Sequence, residues 1–340
     1  LRQQIKNIKK GGTKMGKILS LAMAVILISG GFSCGNVLGE EKTVSLKLAH
    51  INVADGIIDK QAKRFAELVA SKTKGRVKID VYPASQLGNM TEMLEGVSLG
   101  TINMCLESEG MLLIFDKDYQ IFQIPFLVTK EIIAKNEFIK ELRERVRMKN
   151  NIRVLSGQGW RPPFHLFTKK KEVRTPDELQ GMKIRQVQSK VQIDVWNGLG
   201  ATAVPIPWGE VYMALAQGLV NGMVHNVLQV YEEKFYEQLD YCTLLESLLV
   251  WQTVLINEKV FAGLSPDIQK AMNESAIEAG NYFTDLATSL EGDARKNMEK
   301  SGMKFIQADR KIWFNKALAV AKKLENEGSW AKGLLKNIGY

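Results

Sequence analysis

Histidine is scarce in this sequence: His50, His165 and His225 are the only three among 340 residues, and none of the short spacings of a zinc site joins them. No metal is expected, and a lone histidine at such places reads first as a hydrogen-bonded wall residue. Cysteine is equally rare, with only Cys34, Cys105 and Cys242, and neither a Cys-x-x-Cys pair nor a Walker-type phosphate loop occurs. The string GQGWRP opens like a dinucleotide fingerprint, yet Pro162 stands where the last glycine should fall. The usual signatures of metal, redox and nucleotide chemistry are therefore missing. No cofactor is expected, and binding is the economical reading.

Acidic residues are absent from the start of the chain. Residues 1–17 hold six basic residues and no acid, and residues 18–39 carry no charge. Beyond them 40 basic face 37 acidic residues, so the net charge of +9 belongs largely to this leader and gives no argument for a nucleic-acid partner. The leader, MGKILSLAMAVILISGGFSCGNVLG, has a charged start, an apolar run from Ile18 to Ile28 and small residues after it. That is the pattern of a secretory signal peptide over residues 1–39, and the run is too short for an ordinary membrane span. Initiation at Met15 gives a conventional leader length. Cleavage after Gly39 fits a soluble periplasmic product, whereas Cys34 offers a lipoprotein alternative that Phe32 and Gly31 match poorly. Cys105 and Cys242 would then remain in an oxidising compartment. Their apolar surroundings suit buried free thiols, and sequence alone does not bring them together.

From Thr43 onward strands alternate with helices. VSLKLAH and RVKIDVY show period-2 alternation around an amphipathic helix near Ile57–Ser71, a βαβ unit, and INMCLES follows as a third strand of a parallel, doubly wound sheet. Residues 182–226 repeat the logic. Ser265, Pro266 and Asp267 open a helical segment reaching about Ser301. At ~1.5 Å per residue its ~50 Å exceeds one small domain, and lacking heptads of Leu or Ile it reads as a brace across two lobes rather than a projecting coiled-coil arm. The fold class is α/β, with each lobe a mixed or parallel sheet flanked by helices. Lobe I takes residues 43–160 and about 250–290, lobe II residues 161–249 and about 305–340, and the bracing helix about 265–300.

Polar and aromatic residues gather where strands end and helices begin: Glu107, Trp160, Arg161, Arg185, Trp208 and Asn226. In open α/β sheets those ends are where ligands lodge. Arg185, in LQGMKIRQVQSK, is the sharpest case, because a guanidinium keeps its proton and is costly to bury without a partner. Either it pairs with an internal acid such as Glu210, or it awaits a guest anion. Trp160 and Trp208 can equally be plain core, and Glu107 a structural carboxylate. An exported enzyme using Glu107 with His50 or His225 as acid and base is the rival class, although the sequence gives those histidines no acid partner.

Three passages together carry a resemblance. VYPASQLGNMTEML, the block PDELQGMKIRQVQSKVQIDVWNGLGATAVPIPWGEVYMALAQGLVNGMVHN and the long helix after it resemble the substrate-binding subunit of tripartite ATP-independent periplasmic (TRAP) transporters, the DctP-like group, over nearly all of residues 43–330. The resemblance implies a non-enzymatic, two-lobed periplasmic receptor that closes on a small organic acid and hands it to an ion-gradient-driven membrane permease. It implies that Arg185 grips the ligand carboxylate, with Arg161 as a second arginine. Trp208 matches the aromatic that opens the EVY helix, and Asn226 the polar residue after the NG strand. Glu107 falls where a first-lobe contact is placed, His50 and Asn52 lie near the first-strand contact, and Trp160 is a candidate wall. A monomer is expected.

Overall fold

The structure, a computed structural model, describes residues 43–135 and 137–340, so the expected signal peptide, the start at Met15 and Cys34 lie outside the described residues. Two six-stranded sheets organise the chain. The first contains β1 (Val44–Ala49), β2 (Val77–Tyr82), β3 (Met104–Ser108), β4 (Ile152–Val154) and β5 (Gly159–Trp160). The second contains β6 (Phe164–Thr168), β7 (Lys183–Gln186), β8 (Thr202–Pro205), β9 (Gly222–Asn226) and β10 (Tyr241–Leu244). The chain then returns to the first sheet with β11 (Trp251–Asn257) and to the second with β12 (Lys304–Gln307). The strand orders are β2-β1-β3-β11-β4, with β5 on β11, and β12-β10-β6-β9-β7-β8.

The parallel parts follow the alternation read from the sequence: β1 pairs in parallel with β2 and β3, and β7 with β8 and β9. Both sheets are nevertheless mixed, because β11 runs antiparallel to β3 and β4, and β6 antiparallel to β9 and β10. The parallel arrangement expected of the first three strands is present, and β11, arriving late in the chain, is the strand that makes the first sheet mixed. Every residue of WQTVLIN is buried, as in a strand covered on both faces.

The helices are set by local chemistry. α1 (Ile57–Lys72) buries Ile58, Ala62, Phe65 and Val69 along one stripe. α2 (Met90–Leu99) begins at a capping box, in which Asn89 Oδ1 accepts from the Thr91 and Glu92 N–H groups and the Glu92 carboxylate accepts from the Asn89 N–H. It stops at Gly100, whose φ of 85° suits a residue without a Cβ. In the second layer α3 (Lys190–Leu199) precedes β8 and α4 (Val227–Glu232) follows β9. The long helix α5 (Pro266–Lys300) packs on α1, β5 and α4, so it touches the layers of both sheets, and α6 (Arg310–Asn326) packs on α3. The chain end also reaches the first lobe: the Ala331 N–H donates to Asp118 Oδ1 at 2.8 Å.

Small residues let the loop after β4 lie against α5. At Gly157, where φ is +130°, an added Cβ would overlap the Ala276 carbonyl, and at Gly280 it would come within 3.0 Å of the Gln158 backbone. Cys105 and Cys242 are buried free thiols, one in β3 and the other in β10. His165 in β6 is structural: its Nδ1 accepts from the Leu245 and Glu246 N–H groups at 3.2 and 3.1 Å, and burial, aided by the charges of Arg295 and Arg310, lowers its pKa to about 4.

Two measurements check these points. Gly157→Ala is expected to lower unfolding stability by more than about 1 kcal/mol in a urea titration, since both its dihedral and its space are incompatible with a side chain. His165 titrates near 6.5 when unfolded and near 4 when folded. Its contribution is therefore complete above pH 6.5 and lost as pH falls toward 4, with about 2 kcal/mol lost at pH 5. Urea midpoints at pH 7 and 5 should differ in that direction, and by less in His165→Gln.

Candidate functional site

Successive residues of β7 point to opposite faces, so Ile184 enters the core while Arg185 turns into a cavity of about 110 Å³ between the two sheets. Arg185 is only 3% exposed. The parallel pairing of β7 with β8 brings the next loop over it, and Arg185 Nε and Nη2 both donate to the Ile206 carbonyl, at 3.0 and 2.8 Å. That oxygen carries no formal charge. No acidic side chain among the described residues pairs with this guanidinium, and Glu210, the internal partner considered from sequence, is exposed. Burial alone pulls the Arg185 pKa down to about 9, so the cation persists at neutral pH but is poorly solvated. The Trp208 ring lies 5.5 Å from it, a cation–π distance.

The opposite wall comes from the first sheet. Glu107 is the penultimate residue of β3, and its Oε1 accepts from the Ser108 N–H at 2.7 Å. Burial raises its carboxyl pKa, against the opposing influence of the Arg161 charge and the Ser108 N–H. Arg161 follows β5, anchored by its backbone N–H to the Val250 carbonyl at 2.9 Å. Its Nε is hidden and has no hydrogen-bond partner, and burial lowers its pKa to about 10, with Glu107 opposing. The cavity thus holds two arginines and one carboxylate, whose affinity for its proton is heightened.

Neutral groups complete the lining. His225 lies between Phe164 and Trp208, with ring centroids 4.5 and 4.7 Å away. Burial first, then the charges of Arg161 and Arg185, push its pKa well below the ordinary value, so it is an uncharged aromatic wall. Gln192 at the start of α3 donates from Nε2 to Oε1 of Gln123 at 2.9 Å, joining the two lobes beside the cavity. Gln186 Nε2 is buried and lacks a partner. Gln186 and His225 were not singled out as contacts from sequence. Their signal was position, since Gln186 follows Arg185 at a strand end and His225 sits in β9 beside β7.

Arg185, Arg161, Trp208 and Glu107 line the cavity; His50, Asn226 and Trp160 do not. His50 Nε2 instead contacts Asp59 Oδ1 at 3.0 Å, a buried pair whose carboxylate also meets the exposed Lys63, while its neighbours Ile51 and Asn52 reach the cavity. Asn226 is the N-cap of α4: its Oδ1 accepts from the Gln229 N–H and its Nδ2 donates to Gln229 Oε1, both at 2.9 Å, which turns the side chain toward its own helix. Trp160 packs on Trp251 with tilted rings whose centroids are 5.6 Å apart, and Lys130 Nζ lies 4.8 Å from its ring. The string GVSLG at residues 96–100 has the form of a nucleophile elbow, but Ser98 lies within α2 and its hydroxyl donates to the Asn150 carbonyl at 2.7 Å. Among the described residues no group of three His, Cys, Asp or Glu could hold a metal, and no helix is long and apolar enough to cross a membrane.

Comparison with known proteins places this geometry. The family described as bacterial extracellular solute-binding protein, family 7 (DctP), matches residues 48–327. A 2,3-diketo-L-gulonate-binding periplasmic protein of Escherichia coli strain K12 is 30% identical over 258 residues, 74% of this chain and 78% of the relative. The C4-dicarboxylate-binding periplasmic protein DctP of Rhodobacter capsulatus is 26% identical, over 76% of this chain and 78% of its own. Among solved structures, a TRAP periplasmic solute-binding protein from Ochrobacterium anthropi superposes with a TM-score of 0.78 at 28% identity, covering 87% of this chain and 98% of that one. The family is one of transport receptors, and nothing supports the rival reading as an exported enzyme. The chain therefore belongs to the DctP family of extracellular solute-binding proteins, periplasmic receptors that bind small acids and work with the membrane permease subunits of TRAP transporters.

Proposed function

We propose that the cavity captures a small polyhydroxy acid, with Arg185 as the group that orients its carboxylate. The observation that carries this reading is a buried guanidinium whose only hydrogen-bond acceptor among the described residues is one carbonyl. The planar fork of arginine suits a carboxylate, and each charge-assisted hydrogen bond contributes roughly 1.5–3 kcal/mol. Arg161 is a second donor, Trp208 and His225 are the flat walls, and Glu107 with Gln186 meets hydroxyl groups. Relatives point the same way: the Escherichia coli protein is described as binding 2,3-diketo-L-gulonate, and the Ochrobacterium anthropi structure holds L-fuconate. Neutral amides outnumber unpaired cations in the lining, which favours one carboxylate with hydroxyls over two carboxylates.

The receptor closes by bringing its two lobes together and acts as a monomer, and residues 1–39 are removed on export. Calorimetric titration with L-fuconate, D-glucuronate and succinate tests the site. The sugar acids should bind more tightly than succinate, and Arg185→Ala should weaken them by about 100-fold, or ~2.7 kcal/mol. Equal affinity of the wild type and Arg185→Ala would remove Arg185 from the site.

A further inference from the structure

Glu233 stands one residue past α4, in the second lobe, and its environment is unusual for a carboxylate. It is half-buried and forms no salt bridge with any of the described residues. Its Oε1 accepts two hydrogen bonds from opposite sides of the cleft: the Val53 N–H, in the loop after β1, at 3.1 Å, and the Trp208 indole Nε1–H, from the loop after β8, at 3.0 Å. The adjacent Glu232 makes a second crossing, accepting the Ile57 N–H at 3.0 Å. Ile57 is the first residue of α1, whose N-cap is Gly56, a residue with no side chain to satisfy the free N–H groups of the first turn. The other lobe therefore supplies the cap.

We propose that Glu233 is a positioning residue for solute capture: one carboxylate oxygen ties the Trp208 wall of the second lobe to Val53 of the first, fixing the aromatic surface beside Arg185 when the lobes meet. The inference rests on the solute-capture reading above. Trp208 is the shared element, because its ring faces both the Arg185 guanidinium and the His225 imidazole while its only polar atom donates to Glu233. Val53 follows Asn52, which lines the cavity, so the same bond holds the first-lobe loop in place. Burial raises the carboxyl pKa, against the opposing effects of Trp208, Val53 and Asn52. That cost of burial is met here only by neutral N–H donors.

The test is a double-mutant cycle read by dissociation rate. Wild type, Glu233→Ala, Trp208→Phe and the double variant are loaded with L-fuconate, and release is followed by stopped-flow tryptophan fluorescence, with Arg185→Ala as a reference. Glu233→Ala should release the acid at least 10-fold faster in the wild-type background and much less than 10-fold faster in the Trp208→Phe background, while Glu233→Gln, whose amide oxygen can accept the same two bonds, should recover most of the loss. Unchanged release from Glu233→Ala, or an equal effect in both backgrounds, would overturn the positioning role. If wild type fails to hold L-fuconate, the polyhydroxy-acid reading fails, and the clasp is decided by the Trp208 indole resonance in nitrogen–proton spectra. Glu233→Ala should shift that resonance, and an unmoved resonance would overturn the proposal.

Discussion

A single buried positive charge governs the arrangement. Arg185 is kept at the end of a core strand, out of water, with one backbone carbonyl against two of its nitrogens and an indole beside it. A guanidinium in such a place is costly unless a charge opposes it, and removing water strengthens its pull on any anion that arrives. An internal aspartate or glutamate would relieve that tension, and among the described residues none does. The walls follow the same rule: His225 is held neutral between two rings, and the one nearby carboxylate, Glu107, is set against Arg161.

The fold makes this charge available through the way its two sheets are wound. Each contributes strand ends to the cavity, and the chain passes between them at β6, at β11 and again at β12. The long helix lies against both layers, with Gly157 and Gly280 allowing its close approach to the loop after β4. Polar links then span the cleft at its rim, Gln123 with Gln192 on one side, Glu232 with the start of α1 and Glu233 with Val53 on the other. Hydrogen bonds of this kind can form and break with closure, because each donor and acceptor can turn to water when the lobes part.

Much of this was legible in the sequence, for reasons that differ by residue. Arg185 and Trp208 stand in a block whose spacing fixes a strand, a turn and a helix, so their direction followed from the strand period. Glu107 and Arg161 were legible as polar residues at strand ends. Asn226 has the same position and the opposite outcome: its short side chain is drawn back to cap α4, a local competition that spacing does not reveal. Of His50 and Asn52, both near the expected first-strand contact, Asp59 on the next helix holds the former while the latter reaches the cavity. Trp160 packs on Trp251 of β11, a strand buried along its whole length and running antiparallel to its neighbours. Glu233 was invisible for a deeper reason, since both of its partners come from loops distant in the chain.

The most direct test is a crystal structure of the receptor with a sugar acid bound. The account predicts both carboxylate oxygens of the guest within hydrogen-bond reach of Arg185, with the hydroxyls turned toward the first-lobe wall. A guest whose carboxylate lies elsewhere, or an Arg185 engaged by an internal acid in the presence of ligand, would contradict it.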